Sequence, residues 1–170
     1  MKVEKDYEDL LEFLNKHSVK YCIIGSYALA FHARPRYTKD IDILVENSIE
    51  NARKILNALN EFGFGSLQLS EEDFTELGQI IQLGYEPVRV DLITSIKGMD
   101  FHKIWNNRVT GKFGLQEVFF IGVDDLISSK KISNRSQDQA DLKMLQKVLN
   151  RKKGSLHKKV HKNSLKNCKA

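Results

Sequence analysis

The sequence predicts a mixed α/β (α+β) domain in which helices cover a sheet. Two patterns carry this prediction. In the first part of the chain, apolar runs of strand length alternate with segments of helical periodicity, and later short apolar runs come in pairs around turn residues. The first pattern is typical of helices placed between strands, and the second of β-hairpins. A chain of 170 residues is long enough to bury a core of its own as one domain.

Helix and strand patterns alternate through the first part of the chain, and we expect elements at residues 4–17, 20–24, 26–33, 40–45 and 48–62. The second and fourth of these are strands, and the others are helices. The first helix is amphipathic, because its apolar residues recur at helical spacing; they are Tyr7, Leu10, Leu11 and Leu14. The start of the third helix is predicted to be capped by Asn47 together with Glu50.

Hairpins and closing helices are predicted in the rest of the chain. Ser70, followed three residues later by Asp73, predicts a short helix at 71–77. The further expected elements are a hairpin of strands 79–83 and 88–94, a helix at 100–107, a weaker strand pair at 109–113 and 115–121, and two C-terminal helices at 123–132 and 136–149.

The overall composition excludes several classes of protein. An apolar content of 41% and a charged content of 29% are ordinary for a soluble globular chain. No apolar run approaches the length of a membrane-spanning helix, and the first residues lack the apolar core of a secretory signal. Two cysteines, Cys22 and Cys168, argue against a disulfide framework. We therefore expect a cytoplasmic protein that does not bind membranes.

Basic residues are concentrated at the end of the chain. Residues 151–170 contain eight of the 27 lysines and arginines and no acidic residue. The remaining 19 basic residues face 22 acidic ones, so residues 1–150 carry a net charge of −3. This break predicts a folded domain at 1–150 and a basic, flexible tail at 151–170. Such tails often bind nucleic acid nonspecifically. This one has no aromatic residue for base stacking, so a solvated, disordered end is at least as well supported as a nucleic-acid-binding one.

The residues that favour a chemical function lie between Tyr21 and Glu46. Gly25 and Ser26 follow the first strand and begin a helix, where backbone N–H groups and a hydroxyl can bind phosphate. Asp40 and Asp42 alternate along the second strand and therefore share a face. Two carboxylates on one face are tolerable beside a cation, and hard cations such as Mg²⁺ prefer carboxylate and phosphate oxygens. An ordinary turn and a solvated strand edge are the alternatives.

The string G-S-x13-D-x-D between apolar flanks resembles the signature of the nucleotidyltransferase superfamily that includes DNA polymerase beta. A fuller set is similar to small bacterial nucleotidyltransferases, including relatives of the AbiEii-type toxins of type IV toxin–antitoxin systems; its members are Ala28, His32, Arg36, Thr38, Asp40 and Asp42. The resemblance implies the nucleotidyltransferase fold, a mixed twisted sheet covered by helices. It also implies a third metal-binding carboxylate on a later strand.

Asp91 is the candidate for that third carboxylate. It lies in an apolar strand, where an unpaired charge is costly, so a partner is expected. A metal shared with Asp40 and Asp42 would serve, and so would an ion pair with Arg89 on the same strand face or a strand-end position in water. The resemblance favours the metal.

The activity that the resemblance implies is transfer of a nucleoside monophosphate from an NTP to an acceptor, with release of pyrophosphate. Asp40 and Asp42 would bridge two Mg²⁺ (or Mn²⁺) ions, and Asp91 would hold the ion on the side of the nucleophile and act as base. The sequence does not reveal the acceptor, which could be RNA, protein or a small molecule. A chain this short lacks a large acceptor-binding domain, so a partner protein or a homodimer could complete the site.

The string K-x4-R-x2-D-x2-D from Lys130 to Asp141 resembles the C-terminal motif of these transferases, which builds the nucleotide side of the site. It implies that Lys130, or Lys131 in its place, contacts the triphosphate. Asp138 and Asp141 complete the motif, and Arg36 would contact phosphates.

Plainer readings of the same residues stay open. They are a lysine that snorkels past the core, an Arg135 salt bridge and a surface arginine at Arg36. Ala140 departs from AbiEii-type proteins, which usually carry a lysine there.

The alternatives to an enzyme are a non-catalytic relative that binds nucleotide or a partner, and an RNA-binding module that uses the basic tail.

Overall fold

The computed structural model describes residues 4–35, 38–86, 88–133 and 135–150. Within these residues the strands are β1 (Tyr21–Ile23), β2 (Asp40–Val45), β3 (Ile80–Tyr85), β4 (Val88–Ile93), β5 (Val109–Phe113) and β6 (Gln116–Phe120). The helices are α1 (Lys5–Lys16), α2 (Gly25–His32), α3 (Ile49–Leu59), α4 (Glu71–Thr75), α5 (Phe101–Asn106), α6 (Val123–Ser133) and α7 (136–150).

The strands form one mixed sheet in the order β3-β4-β2-β1-β6-β5. Both predicted hairpins are present, because β3 pairs with β4 and β5 pairs with β6 in antiparallel fashion. β1 and β2 are also antiparallel, whereas β2 pairs with β4, and β1 with β6, in parallel. The prediction of a mixed sheet covered by helices is confirmed. The parallel β2–β4 pairing brings the strand that carries Asp40 and Asp42 beside the strand that carries Asp91.

The core fills in the way that the sequence patterns predict. The apolar stripe of α1 is buried, and all of β1 is buried. Ile41 and Ile43 are fully buried on one face of β2, which leaves Asp40 and Asp42 for the other face. Because side chains alternate along a strand, one face of β2 packs in the core and the opposite face carries Asp40 and Asp42.

Two details of α3 differ from the prediction. Its N-cap is Ser48, whose hydroxyl accepts a hydrogen bond from the Asn51 backbone N–H at 3.2 Å, so the predicted Asn47 cap is wrong. Ser48 is favoured because its hydroxyl also donates to the buried Glu46 carboxylate at 2.8 Å. The regular helix ends at Leu59, before a π-helical turn in which Gly63 has a φ of 110°.

The short helix α4 has the capping box that the sequence predicts. The Ser70 backbone N–H donates to the Asp73 carboxylate at 2.7 Å, and the Ser70 side chain caps the N–H of the third helical residue in return. Among all the described residues, no helix is long and apolar enough to cross a membrane. The predicted tail at 151–170 lies outside the described residues, so that prediction stays a prediction.

Candidate active site

The three predicted carboxylates lie on one face of the sheet. In the parallel β2–β4 pair, Asp42 is directly opposite Asp91, and Asp40 is directly opposite Arg89. Residues opposite each other on neighbouring strands point to the same face, and so do residues two apart on one strand. Asp40, Asp42 and Asp91 are therefore brought together, with Arg89 as a fourth member of the group.

Arg89 forms ion pairs with two of these carboxylates, Asp40 and Asp91. Its Nη2 donates to Asp40 Oδ2 at 2.6 Å and to Asp91 Oδ2 at 3.1 Å. Its Nε lies 3.0 Å from Asp91 Oδ1. The second oxygen of Asp40, Oδ1, accepts a hydrogen bond from the Thr38 hydroxyl at 2.6 Å. The pair with Asp91 is one of the alternatives that the sequence left open, whereas the contact with Asp40 was not predicted.

One oxygen of Asp91 lacks a hydrogen-bond partner. Asp91 is only 7% exposed. Its buried Oδ1 lies near Arg89 Nε, but the two are not aligned as a hydrogen bond, and within the described residues neither atom has another partner. A buried acceptor left in this condition is costly and rare in folded proteins. It can accept a further ligand.

Asp42 lies in the middle of the group and is strongly perturbed. Burial raises the pKa of its carboxyl to about 6, with further contributions from the negative charges of Asp40 and Asp91. Arg135 and Lys130 act in the opposite direction through their positive charges. A carboxylate whose surroundings disfavour its ionised form is stabilised by a nearby cation. Carboxylates with a pKa raised in this way are common in functional sites.

The start of α2 packs directly against Asp42. Gly25, the first residue of this helix, has a φ of +60°, and a Cβ built there would lie 1.9 Å from Asp42 Oδ2. Only glycine therefore fits, both for its backbone conformation and for its lack of a side chain. The next residue, Ser26, is buried. Because the first N–H groups of a helix have no intrahelical partner, this end can bind an anion beside the carboxylates.

Lys130 joins the two C-terminal helices through a buried charge cluster. Its ammonium donates to Asp138 Oδ1 at 3.0 Å and to Asp141 Oδ2 at 2.8 Å, and all three residues are buried. Burial opposes ionisation of Asp138, but hydrogen bonds from Ser133 and Lys130 outweigh it and lower the pKa of that carboxyl. The Asp138 carboxylate thus pairs with Lys130, and the Asp138 backbone N–H donates to the Arg135 carbonyl at 2.9 Å.

A cavity of about 200 Å³ borders this cluster, lined by Lys130, Lys131, Arg135, Asp138, Gln139 and Leu142. Lys131 and Arg135 are exposed, whereas Lys130 is buried. Arg135 and Lys130, which line this cavity, lower the pKa of Asp42 through their positive charges, although none of the three carboxylates lines the cavity itself. Of the predicted site residues, Arg36 lies outside the described residues, and its phosphate contact stays a prediction.

Tyr7 is a site residue that the sequence analysis missed, because it was assigned to the apolar stripe of α1. Its hydroxyl donates to the Lys39 carbonyl at 3.1 Å and accepts from the Arg89 backbone N–H at 3.2 Å. It thereby ties the start of β2 to that of β4. His32, by contrast, has a structural contact, with Nε2 2.7 Å from the Ile121 carbonyl.

The metal prediction needs a test against this geometry. Over the described ranges, no group of three or more His, Cys, Asp or Glu side chains is arranged to hold a metal ion. Two of the three carboxylates, Asp40 and Asp91, are instead bound by Arg89. The buried Asp91 Oδ1 and the raised pKa of Asp42 are of a kind that a hard divalent cation would stabilise. Metal binding by Asp40, Asp42 and Asp91 stays a prediction.

Comparison with known proteins gives an independent finding. The model of a family described as nucleotidyl transferase of unknown function (DUF2204) matches residues 3–169 of the chain. No curated protein matches the sequence.

Solved structures with a similar fold include three transferases. A candidate nucleotidyltransferase from Thermotoga maritima is 16% identical with a TM-score of 0.57, and the match covers 88% of this chain and 96% of that one. ANT(2")-Ia, in complex with adenylyl-2"-tobramycin, is 9% identical with a TM-score of 0.56 and coverages of 94% and 96%. Lincomycin-bound LnuA, a lincosamide antibiotic adenylyltransferase, is 12% identical with a TM-score of 0.52 and coverages of 85% and 97%. At such low identities the likeness shows the fold alone.

Proposed function

Because the chain belongs to this family of nucleotidyl transferases of unknown function, we propose that it is a metal-dependent enzyme that transfers a nucleoside monophosphate from an NTP to an acceptor hydroxyl. Pyrophosphate is the second product. The cofactor is Mg²⁺ or Mn²⁺, held by Asp40, Asp42 and Asp91. The observation that carries the proposal is the register of β2 and β4, which sets Asp42 directly opposite Asp91 and beside the start of α2.

The chemistry is an in-line displacement at the α-phosphate. The acceptor oxygen forms a new bond to the α-phosphorus, the bond from that phosphorus to the bridging oxygen breaks, and pyrophosphate leaves with that oxygen. Divalent cations at the carboxylates would activate the acceptor hydroxyl and neutralise the departing pyrophosphate. Asp91 would accept the proton of the acceptor hydroxyl through a carboxylate oxygen that Arg89 has released. Gly25 and Ser26 present the start of α2 to the phosphates.

Two layers of positive charge are available for the triphosphate. Lys131 and Arg135 are exposed and line the cavity, so they can contact phosphate directly. Lys130 is bound to Asp138 and Asp141. Its contact with the triphosphate would require it to exchange one of these aspartates for a phosphate oxygen. Arg36 is proposed as a further phosphate contact.

The acceptor is open between RNA, a protein hydroxyl and a small molecule. Of the proteins with a similar fold, ANT(2")-Ia was solved with adenylyl-2"-tobramycin. LnuA, a lincosamide antibiotic adenylyltransferase, was solved with lincomycin. A small hydroxylated acceptor is therefore one candidate for this chain. A partner protein or a homodimer could complete the acceptor side.

One observation favours a second function, nucleotide binding without transfer. Arg89 already supplies a positive charge to Asp40 and Asp91, so the negative charge of this pair is partly compensated without a metal. A protein of this kind would bind NTP in the cavity and would not turn it over.

The test is incubation with labelled NTPs, Mg²⁺ or Mn²⁺, and cell extract. The enzyme should transfer label to one class of molecule, and Asp42→Asn should remove that transfer while the protein stays folded. Asp124→Asn is the matched control, because Asp124 is an exposed aspartate on α6 and its substitution should leave transfer intact. Wild-type transfer by Asp42→Asn would contradict the mechanism. NTP binding without any transfer would favour the second function.

A further inference from the structure

The four oxygens of the two outer aspartates are nearly all engaged by protein donors. Asp40 Oδ1 accepts from Thr38, and Asp40 Oδ2 and Asp91 Oδ2 both accept from Arg89 Nη2. The fourth, Asp91 Oδ1, lies 3.0 Å from Arg89 Nε. A single guanidinium thus occupies the position between the two carboxylates that a shared cation would need.

A guanidinium and a divalent cation cannot both hold these carboxylates. Each would neutralise the same negative charge, and the two positive charges repel each other at the short distances that such ligation requires. Arg89 is also well matched to its present partners, because the planar fork of its donors suits carboxylates in a way that a lysine ammonium does not. Cation binding at Asp40 and Asp91 therefore has to overcome the loss of these contacts.

The guanidinium has a route by which it can leave. The side chains of Arg89 and Asp40 are 28% and 30% exposed, so this ion pair borders solvent. The backbone of Arg89 is fixed separately, by its place opposite Asp40 in the sheet and by the Tyr7 hydroxyl. The side chain can accordingly swing outward without disturbing the strand that carries Asp91.

We propose that Arg89 is a positioning residue that competes with the divalent cation for Asp40 and Asp91. In this role it holds the carboxylates together when no cation is bound and weakens cation binding by the protein alone. The negative charge of a bound NTP both attracts the cation and offers the displaced guanidinium another partner. Cation binding is thereby coupled to nucleotide binding. This inference rests on the proposed function, since it concerns the same three carboxylates.

The experiment measures Mn²⁺ binding by the full chain without nucleotide, using calorimetry or the electron paramagnetic resonance of free Mn²⁺. Arg89→Met removes the competing charge and should lower the Mn²⁺ dissociation constant by about tenfold or more, because it takes away a unit positive charge a few ångströms from the ligands. Lys39→Met is the control. It removes an equal charge next to Asp40, but its ammonium pairs with the exposed Glu86 at 2.7 Å. It should change the constant by less than about threefold.

Unchanged or weaker Mn²⁺ binding by Arg89→Met would overturn the inference, because it would mean that Arg89 organises the ligands instead of competing for them. Should that variant fail to fold, Arg89→Lys takes its place. A lysine keeps the charge but cannot form the fork with two carboxylates, so binding should still tighten, by about threefold. Equal or weaker binding by Arg89→Lys would be equally decisive against it.

The wild type separates this inference from the proposed function. If the wild-type chain binds no Mn²⁺ even with a saturating non-hydrolysable NTP analogue, the metal-dependent function fails. If it does bind Mn²⁺ with the analogue and Arg89→Met shows no tighter binding without it, only the competition by Arg89 fails.

Discussion

The ammonium of Lys130 on α6 lies 2.8 Å from Asp141 Oδ2 on α7, and both residues are buried. Asp138, one turn earlier on α7, shares the same ammonium at 3.0 Å. One lysine thus pairs with two carboxylates and links the last helix to the one before it. The cavity that we assign to the nucleotide lies along this junction, so the same cluster determines the shape of the cavity.

Lys130→Met should destabilise the fold severely. It would leave Asp141 and Asp138 buried without their cation, and breaking a buried pair from one side costs about 3–5 kcal/mol. Denaturant unfolding measures this loss. Lys131→Met is the control, because Lys131 is exposed and should change the free energy of unfolding by no more than about 0.5 kcal/mol. Equal stability of the two variants would show that the cluster does not hold α7.

Asp42→Asn should stabilise the protein at neutral and alkaline pH while it removes transfer. The pKa of Asp42 is raised from 3.8 to about 6 on folding, so the folded state binds this proton more tightly than the unfolded state. Its contribution to stability is present below pH 4 and is lost as the pH rises through about 6. Two pKa units correspond to roughly 3 kcal/mol.

Unfolding curves of this variant between pH 4 and 8 provide the measurement. The free energy of unfolding of the variant should rise relative to that of the wild type across that range, by about 1–3 kcal/mol. Asp124→Asn, the same substitution at an exposed position of α6, is the control for the change of side chain. A pH-independent difference for Asp42→Asn would mean that the carboxyl has an ordinary pKa.

Gly25→Ala should abolish activity through a steric effect on Asp42. The new Cβ would lie 1.9 Å from Asp42 Oδ2, so the carboxylate or the start of α2 has to move. Gly98→Ala is a closely matched control, because Gly98 also has a positive φ, +71°, but has nothing within 4 Å of a Cβ. Both variants bear a backbone cost of about 1–3 kcal/mol, which thermal unfolding would register. Only Gly25→Ala should lose transfer, and full activity in that variant would remove Gly25 from the site.

Tyr7→Phe should reduce activity more than its effect on stability suggests. Burial raises the pKa of Tyr7 to about 12, so its hydroxyl keeps its proton and links Lys39 to Arg89 at neutral pH. Its removal should cost about 1–2 kcal/mol and loosen the start of β2 against β4. Tyr21→Phe also loses a hydroxyl contact, with Asn15 at 3.0 Å, and should leave activity unchanged. Parallel losses of activity in the two variants would indicate a general effect of stability.

The sequence predicts the carboxylates better than it predicts their partners. The shared face of Asp40 and Asp42 follows from strand alternation, which is a local property. The position of Asp91 opposite Asp42 depends on the strand order, which places β4 beside β2 with a long segment of chain between them. No periodicity in the sequence determines that order, and the superfamily resemblance supplied the assignment instead.

Contacts that depend on register or on helix packing were the least accessible from sequence. Arg89 reaches Asp40 because the two are directly opposite in the parallel pair, which the sequence of β4 alone does not indicate. Lys130 falls on the apolar stripe of α6, which left open whether it points into the core or into a pocket. The packing of α7 decides this, because it brings Asp138 and Asp141 onto the lysine.

The central claim is that this site moves a nucleoside monophosphate, and the position of the label in the NTP tests it most directly. With Mg²⁺ or Mn²⁺ and an acceptor present, label at the α-phosphate should appear in the acceptor, and label at the γ-phosphate should appear only in pyrophosphate. Asp91→Asn should suppress both signals. Transfer of the γ-label, or transfer of the α-label that persists in Asp91→Asn, would contradict the account.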